Sequence, residues 1–258
     1  MELLYGHPKS LKPIQTKYCP GCGHGVIHRL VAEVVDEMGL QTKAIITNPV
    51  GCSIWAELYF DFDSVQPAHG RTPAAATGIK RVLPDHLVIC YQGDGDLAAI
   101  GTAEIIHAAN RGEKFTTIFV NNAIYGMTGG QMAPTTLVGQ YATTSPEGRD
   151  PVNAGQGYPI KVCELLSSLG GTRYLARGSV DTPLNIKKTK KMIRTAFEAQ
   201  MRGEGFTLVE ILSQCPTNWK LSPHDSIDWL QQNMISYYPL GEIKNTLTQA
   251  DQPVGAAK

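Results

Sequence analysis

The chain has 258 residues, and its 23 Lys+Arg balance 23 Asp+Glu for a formal net charge of zero. That length supports one large globular domain with a substantial core, or at most two small ones. The balance removes the electrostatic case for nucleic acid or an anionic membrane surface, and with 42% hydrophobic residues it excludes charge-driven disorder.

Residues 26–38 place Val26, Leu30, Val34 and Met38 on one helical stripe, with Gly39 as the C-terminal stop. Residues 44–47 read as a short strand, and Pro73 opens an Ala-rich helix to about Leu83. A buried strand over 87–92, a helix over 97–111 and a β-rich run over 115–120 follow. Further on come a helix over 159–169 ending at Gly170-Gly171, a strand over 173–176, a helix from Thr182-Pro183 to about Arg202, and a strand over 206–212. This alternation predicts an α/β fold, a largely parallel sheet with helices on both faces, with residues 1–258 as one domain. Residues 121–158 break the pattern, and so long a segment without periodicity is usually functional. From Ser222 an amphipathic piece (Ile227, Leu230, Met234) leads into a polar end, a C-terminal extension over 222–258. The cluster Lys187, Lys188, Lys190 and Lys191 reads as a solvated helix face.

No apolar run approaches the ~18 residues of a membrane-spanning helix. The start, Met1 to His7, has neither the basic nor the apolar region of a signal peptide, so a cytoplasmic protein is expected. Six cysteines there do not suggest a disulfide framework. Cys90 and Cys163 lie in apolar runs as core thiols, whereas Cys19, Cys22, Cys52 and Cys215 lie among glycines and prolines.

Gly93-Asp94-Gly95-Asp96 follows a buried strand and precedes a helix, the place where parallel α/β sheets bind ligands. Alone, the tetrapeptide is equally compatible with an ordinary turn. One helix and one strand later comes Asn121-Asn122, so Asp94 and Asn122 reach the same sheet edge. A carboxylate, an amide oxygen, a backbone carbonyl and diphosphate oxygens make a site suited to Mg²⁺. Cys19-Pro20-Gly21-Cys22 is a C-x-x-C in a glycine-rich turn within an N-terminal segment, residues 15–25; Cys52 and Cys215 each follow a strand. Such a thiolate set fits zinc and an iron–sulfur cluster equally well, and a C-x-x-C alone also fits a redox dithiol.

GDG, roughly 25 residues, then NN is the pattern of thiamine-diphosphate enzymes. The string Asn121-Asn122-Ala123-Ile124-Tyr125-Gly126-Met127-Thr128-Gly129-Gly130-Gln131 resembles one subgroup, the β subunits of 2-oxoacid:ferredoxin oxidoreductases, over nearly the whole chain. The resemblance implies thiamine diphosphate against Gly93, Asp94, Gly95 and Asp96, with Mg²⁺ on Asp94, Asn122 and the Ile124 carbonyl. It implies a 4Fe-4S cluster on Cys19, Cys22, Cys52 and Cys215, and His69 of the His69-Gly70-Arg71 stretch beside the cofactor. Tyr125, Gly126, Met127 and Thr128 are the remaining expected cofactor contacts. Some relatives carry a Lys shortly after the third cysteine; here the run is Cys52-Ser53-Ile54-Trp55-Ala56-Glu57, which leaves that substrate contact open and suggests an apolar wall.

The implied reaction is oxidative decarboxylation of a 2-oxoacid to an acyl-CoA and CO₂. The cofactor serves as electron sink, and electrons leave singly through the cluster to ferredoxin. Such enzymes need a second domain to grip the aminopyrimidine, so an α subunit is the expected partner, with or without further small subunits. The substrate stays open between branched-chain 2-oxoacids and 2-oxoglutarate, with pyruvate behind them. Two alternatives stand: a zinc-stapled α/β module that binds a diphosphate, and a non-oxidative thiamine-diphosphate decarboxylase or synthase, for which four such cysteines have no use.

Overall fold

Side chains alternate between the two faces of a strand, so a strand that is apolar at every position needs cover on both sides. The structure, a computed structural model describing residues 6–248, supplies that cover. In chain order the elements begin with α1 (His24–Glu37), β1 (Ala44–Thr47), α2 (Ala56–Tyr59), β2 (Asp63–Val65), α3 (Thr72–Val82), β3 (Leu87–Gly93), α4 (Thr102–Arg111) and β4 (Thr116–Asn121). They continue with α5 (Val162–Ser167), β5 (Thr172–Ser179), α6 (Pro183–Met201), β6 (Phe206–Leu212), α7 (Pro216–Trp219), α8 (Pro223–Trp229), α9 (Ile235–Tyr237) and β7 (Gly241–Asn245).

The seven strands form one sheet in the order β2-β1-β3-β4-β6-β5-β7, parallel except for β7, which runs antiparallel to β5. Ile89, Tyr91, Ile118, Val120, Val209 and Ile211 pack with Ile27, Val31, Val35, Ile193 and Phe197 of α1 and α6. Their neighbours Val88, Cys90, Phe119 and Leu208 pack on the other face with Ala76, Ile105, Ala109, Cys163 and Leu166 of α3, α4 and α5. Cys90 and Cys163 are therefore core thiols, as expected.

Several boundaries differ from the sequence reading. Val26 is 36% exposed, and the buried face of α1 is centred instead on Ile27, Leu30, Val31, Val34 and Val35. Residues 97–111 are not one helix: a π turn, Asp96–Ile100, precedes Gly101 and α4. Gly101 closes that turn by donating to the Asp96 carbonyl at 2.8 Å, and a Cβ there would lie 2.9 Å from the Gly70 carbonyl, so the close approach requires glycine. The helix of residues 159–169 shortens to α5 because Ile160 N–H donates to Pro134 O and the Tyr158 carbonyl accepts from Arg149. The strand of 173–176 extends to Thr172–Ser179. Edge strands β2 and β7 carry no apolar run and escaped the pattern. Thr182 caps α6 as its sequence predicts, accepting from Asn185 N–H at 3.2 Å, with Pro183 in the first turn.

The long segment 121–158 is built around Arg149, whose buried guanidinium donates to the carbonyls of Ala133, Pro134, Thr136, Gln156, Gly157 and Tyr158. The C-terminal extension packs onto that segment: Leu230, Met234 and Tyr238 are buried with Ala123, Leu137 and Leu212. Residues 1–5 and 249–258, and the readings that fall on them, lie outside the described residues.

Candidate active site at the carboxyl edge of the sheet

Parallel strands β1, β3, β4 and β6 deliver their carboxyl ends to one edge, and the loops that follow carry Val50 to Ser53, the GDGD turn, Asn122 and Cys215. They surround a cavity of about 290 Å³, lined among others by His24, Cys52, His69, Gly93, Asp94, Asp96, Asn122, Ile124, Tyr125, Met127 and Thr128.

Asp94 sits at its centre and is only 4% exposed. Its Oδ2 accepts from Ile124 N–H at 3.1 Å and from the Thr135 hydroxyl at 3.0 Å, and its Oδ1 from Gly95 N–H at 2.8 Å. Asn122 Oδ1 approaches the same Ile124 N–H at 3.3 Å, so carboxylate and amide oxygens converge on one point of the backbone. Between them Ala123 adopts φ 57°, a left-handed kink rare for a residue with a Cβ. The kink is fixed from three sides: Ala123 N–H donates to Asn121 Oδ1, and its carbonyl accepts from Thr136 and Gln140. Burial pushes the Asp94 carboxyl up to about 7, against the pull of its hydrogen bonds. A buried carboxylate with oxygen donors beside it and no cationic side chain bonded to it fits a hard divalent cation.

Asp96 does a different job. Its Oδ1 meets His69 Nδ1 and Gly70 N–H, each at 2.5 Å, and its Oδ2 accepts from Gln92 at 2.6 Å. It is a strut that pins the His69 loop to the cavity wall. Gly95 is required by the same crowding, since a Cβ there would lie 2.8 Å from the Tyr125 ring. Tyr125 and Gln131 pair across the turn that holds Gly126, Met127 and Thr128, with Gly129 and Gly130 at φ 107° and 85°. The Thr128 hydroxyl donates to Gln131 Oε1 at 2.5 Å, so in this structure it serves the turn.

Cys52 lines this cavity, Cys215 lies next to it across Gly126, and Cys19 and Cys22 are near enough for their charges to be felt there. Burial pushes Cys22 and Cys52 up to about 12, and the charges of neighbouring cysteines, Cys19 and Cys215 included, add to it. Cys215 is raised by burial and also feels Asp94 and Cys19. Gly126 lies between two of the sulfurs: a Cβ there would be 3.2 Å from Cys52 Sγ and 3.6 Å from Cys215 Sγ. Among the described residues no three His, Cys, Asp or Glu side chains close on a point as ligands of a single ion. The C-x-x-C turn is packed tightly, because Gly21, at φ 78°, faces Pro223 where a Cβ would approach to 2.7 Å.

Further residues support the site. His24 opens α1, buried, with Nδ1 2.7 Å from the Tyr91 hydroxyl and its ring stacked on Tyr18; burial lowers it to about 4, so it is neutral. Thr135 supports Asp94, Trp219 Nε1 donates to the Asn122 carbonyl, and Asn218 bonds Gly126 and Cys215. These partners come from distant segments, and only the nearness of Asn218 to Cys215 in the chain hinted at any of them. His107 is exposed on α4 and takes no part.

Fold and edge together define an α/β domain with a ligand-sized cavity at the carboxyl ends of its parallel strands. Residues 50–211 match the family model described as "Thiamine pyrophosphate enzyme, C-terminal TPP binding domain". The chain is 48% identical over 239 residues to ketoisovalerate oxidoreductase subunit VorA of Methanothermobacter thermautotrophicus, covering 93% of this chain and 50% of that one. It is 37% identical to 2-oxoglutarate synthase subunit KorB of Methanocaldococcus jannaschii, over 84% of this chain and 78% of that one. A solved 2-oxoglutarate:ferredoxin oxidoreductase from Magnetococcus marinus, with 2-oxoglutarate, coenzyme A and succinyl-CoA bound, superposes with a TM-score of 0.80 at 27% identity, covering 96% of this chain and 88% of that one. The chain belongs to the thiamine pyrophosphate enzyme family, among the subunits of 2-oxoacid:ferredoxin oxidoreductases. It spans about half the length of the VorA relatives that it matches.

Proposed function

We propose that this chain is the β subunit of a 2-oxoacid:ferredoxin oxidoreductase. In this reading it binds thiamine diphosphate, Mg²⁺ and a 4Fe-4S cluster, and works with an α subunit to form an acyl-CoA and CO₂. One observation carries the reading: Asp94 is bonded to the Ile124 backbone beside Asn122 and lies close enough to Cys52 and Cys215 to raise both thiols. Diphosphate site and thiol site are thus neighbours on one sheet edge, as electron transfer from one to the other requires.

Asp94, Asn122 and the Ile124 carbonyl hold Mg²⁺, and Gly93 to Asp96 leave the backbone open to the diphosphate. Cys19, Cys22, Cys52 and Cys215 hold the cluster. When bound, thiamine diphosphate supplies the carbanion and electron sink for decarboxylation, and the cluster supplies the one-electron exit. Asp96 positions His69 at the cavity wall, and Tyr125 and Met127 offer apolar surface. Met127, Ile100 and Val50 form an exposed apolar rim, and Val138, Tyr141, Val152 and Tyr158 expose more apolar surface on the long segment, a surface suited to an α subunit.

The lining contains no Lys or Arg, and His24 is neutral. A second carboxylate such as that of 2-oxoglutarate therefore meets no fixed cation among the described residues that line the cavity. A branched-chain 2-oxoacid, such as the ketoisovalerate in the VorA name, is the better fit. Assay of the anaerobically purified αβ complex against a panel of 2-oxoacids, with coenzyme A and ferredoxin, tests this. Branched-chain substrates should have the highest kcat/KM; preference for 2-oxoglutarate would reject the substrate, and no 2-oxoacid-dependent reduction at all would reject the function.

A further inference from the structure

Asn218 lies three residues beyond Cys215, one helical turn along α7, so its side chain folds back over the cysteine. Its Nδ2 donates to Cys215 Sγ at 3.2 Å and to the Gly126 carbonyl at 2.9 Å. An amide nitrogen has two hydrogens, so both bonds form at once. Two glycines leave the room: a Cβ at Gly130 would lie 3.3 Å from Asn218 Oδ1, and one at Gly126 would lie 3.2 Å from Cys52 Sγ. One side chain thereby joins the loop that faces the diphosphate cavity to a thiol of the four-cysteine set.

We propose that Asn218 is a positioning residue that ties the cofactor loop to the cluster and raises the cluster's reduction potential through its N–H···S bond to Cys215. The inference rests on the cluster reading above. A donor to a cluster thiolate favours the more negative, reduced state, so its removal makes the cluster harder to reduce. Asn218→Leu keeps the approximate volume and removes the donor; Asn218→Asp keeps the shape and also lacks it. Asn218→Gln retains an amide.

The test is an anaerobic redox titration of the αβ complex followed by electron paramagnetic resonance, with iron and acid-labile sulfide measured on each sample. Both donor-less variants should lower the reduced-to-oxidised ratio at a fixed potential about tenfold, equal to about 59 mV for a one-electron couple. The glutamine variant should recover part of that shift. A leucine or aspartate variant with full iron and sulfide and a wild-type potential would overturn the proposal. So would loss of the cluster from both variants with the fold intact by circular dichroism, because Asn218 would then serve assembly alone. Wild-type complex without labile sulfide would defeat the cluster reading itself, a separate outcome read from the same samples.

Discussion

Asp94 is where the residue-scale chemistry concentrates, since a carboxylate so enclosed is tolerated only if a cation or several donors meet it. Asp94→Ala removes the only anionic ligand proposed for Mg²⁺. Calorimetry on the αβ complex should show thiamine-diphosphate affinity at least about tenfold weaker, with the domain still folded; unchanged Mg²⁺-dependent affinity would reject the assignment. The cysteines divide in the same way. Serine at Cys19, Cys22, Cys52 or Cys215 should lower iron content and ferredoxin reduction, whereas serine at Cys90 or Cys163 should cost about 1–3 kcal/mol of stability in denaturant titrations and leave iron unchanged. The residues proposed to carry the chemistry have local patterns: GDG and NN stand at the ends of β3 and β4, and C-x-x-C in a glycine-rich turn before α1. Their supports have no such pattern: Thr135 sits in the aperiodic long segment, and Asn218 and Trp219, though close to Cys215 in the chain, act on Gly126 and Asn122, which are far from them in sequence.

At the scale of elements, the site stands on a buried ionic base. Arg177 of β5 pairs with Glu210 of β6 at 2.8 Å, both fully buried, and with Glu164 of α5 at 2.6 Å. Glu210 accepts from Asn121 at 2.8 Å, and Asn121 in turn fixes Ala123. Tyr238, whose ring lies over the Arg177 guanidinium, donates to the Thr135 carbonyl at 2.8 Å, so the same base supports Asp94 through Thr135. Glu210→Gln takes away the fully buried carboxylate and leaves Arg177 with the partly exposed Glu164 alone. It should therefore destabilise by about 1–3 kcal/mol in thermal or denaturant unfolding and weaken thiamine-diphosphate binding in the folded fraction. A loss below about 1 kcal/mol with normal binding would show that the base does not matter to the site. None of this was visible in the sequence, where Arg177 and Glu210 are single charges inside apolar strands. Central strands and the α6 cap were visible, because full apolar runs and Thr-Pro are strong local signals. Edge strands β2, exposed throughout, and β7, partly exposed, give none. The π turn before Gly101 packs against the Gly70 backbone, a tertiary contact that no local pattern marks.

At the scale of the molecule, the cavity is open, and its rim is apolar and exposed at Val50, Ile100 and Met127. The long segment, ordered internally by Arg149, presents further apolar residues. Hydrogen exchange over residues 123–158 should slow markedly when an α subunit and thiamine diphosphate bind; equal rates in the isolated chain and the complex would leave only a surface loop. The proposed function stands or falls with one sheet edge uniting a diphosphate site and an iron–sulfur cluster. Iron and acid-labile sulfide in anaerobically purified protein are its sharpest test. Roughly four of each per chain are expected. Stoichiometric zinc with no labile sulfide would contradict it and leave a zinc-stapled diphosphate-binding module in its place.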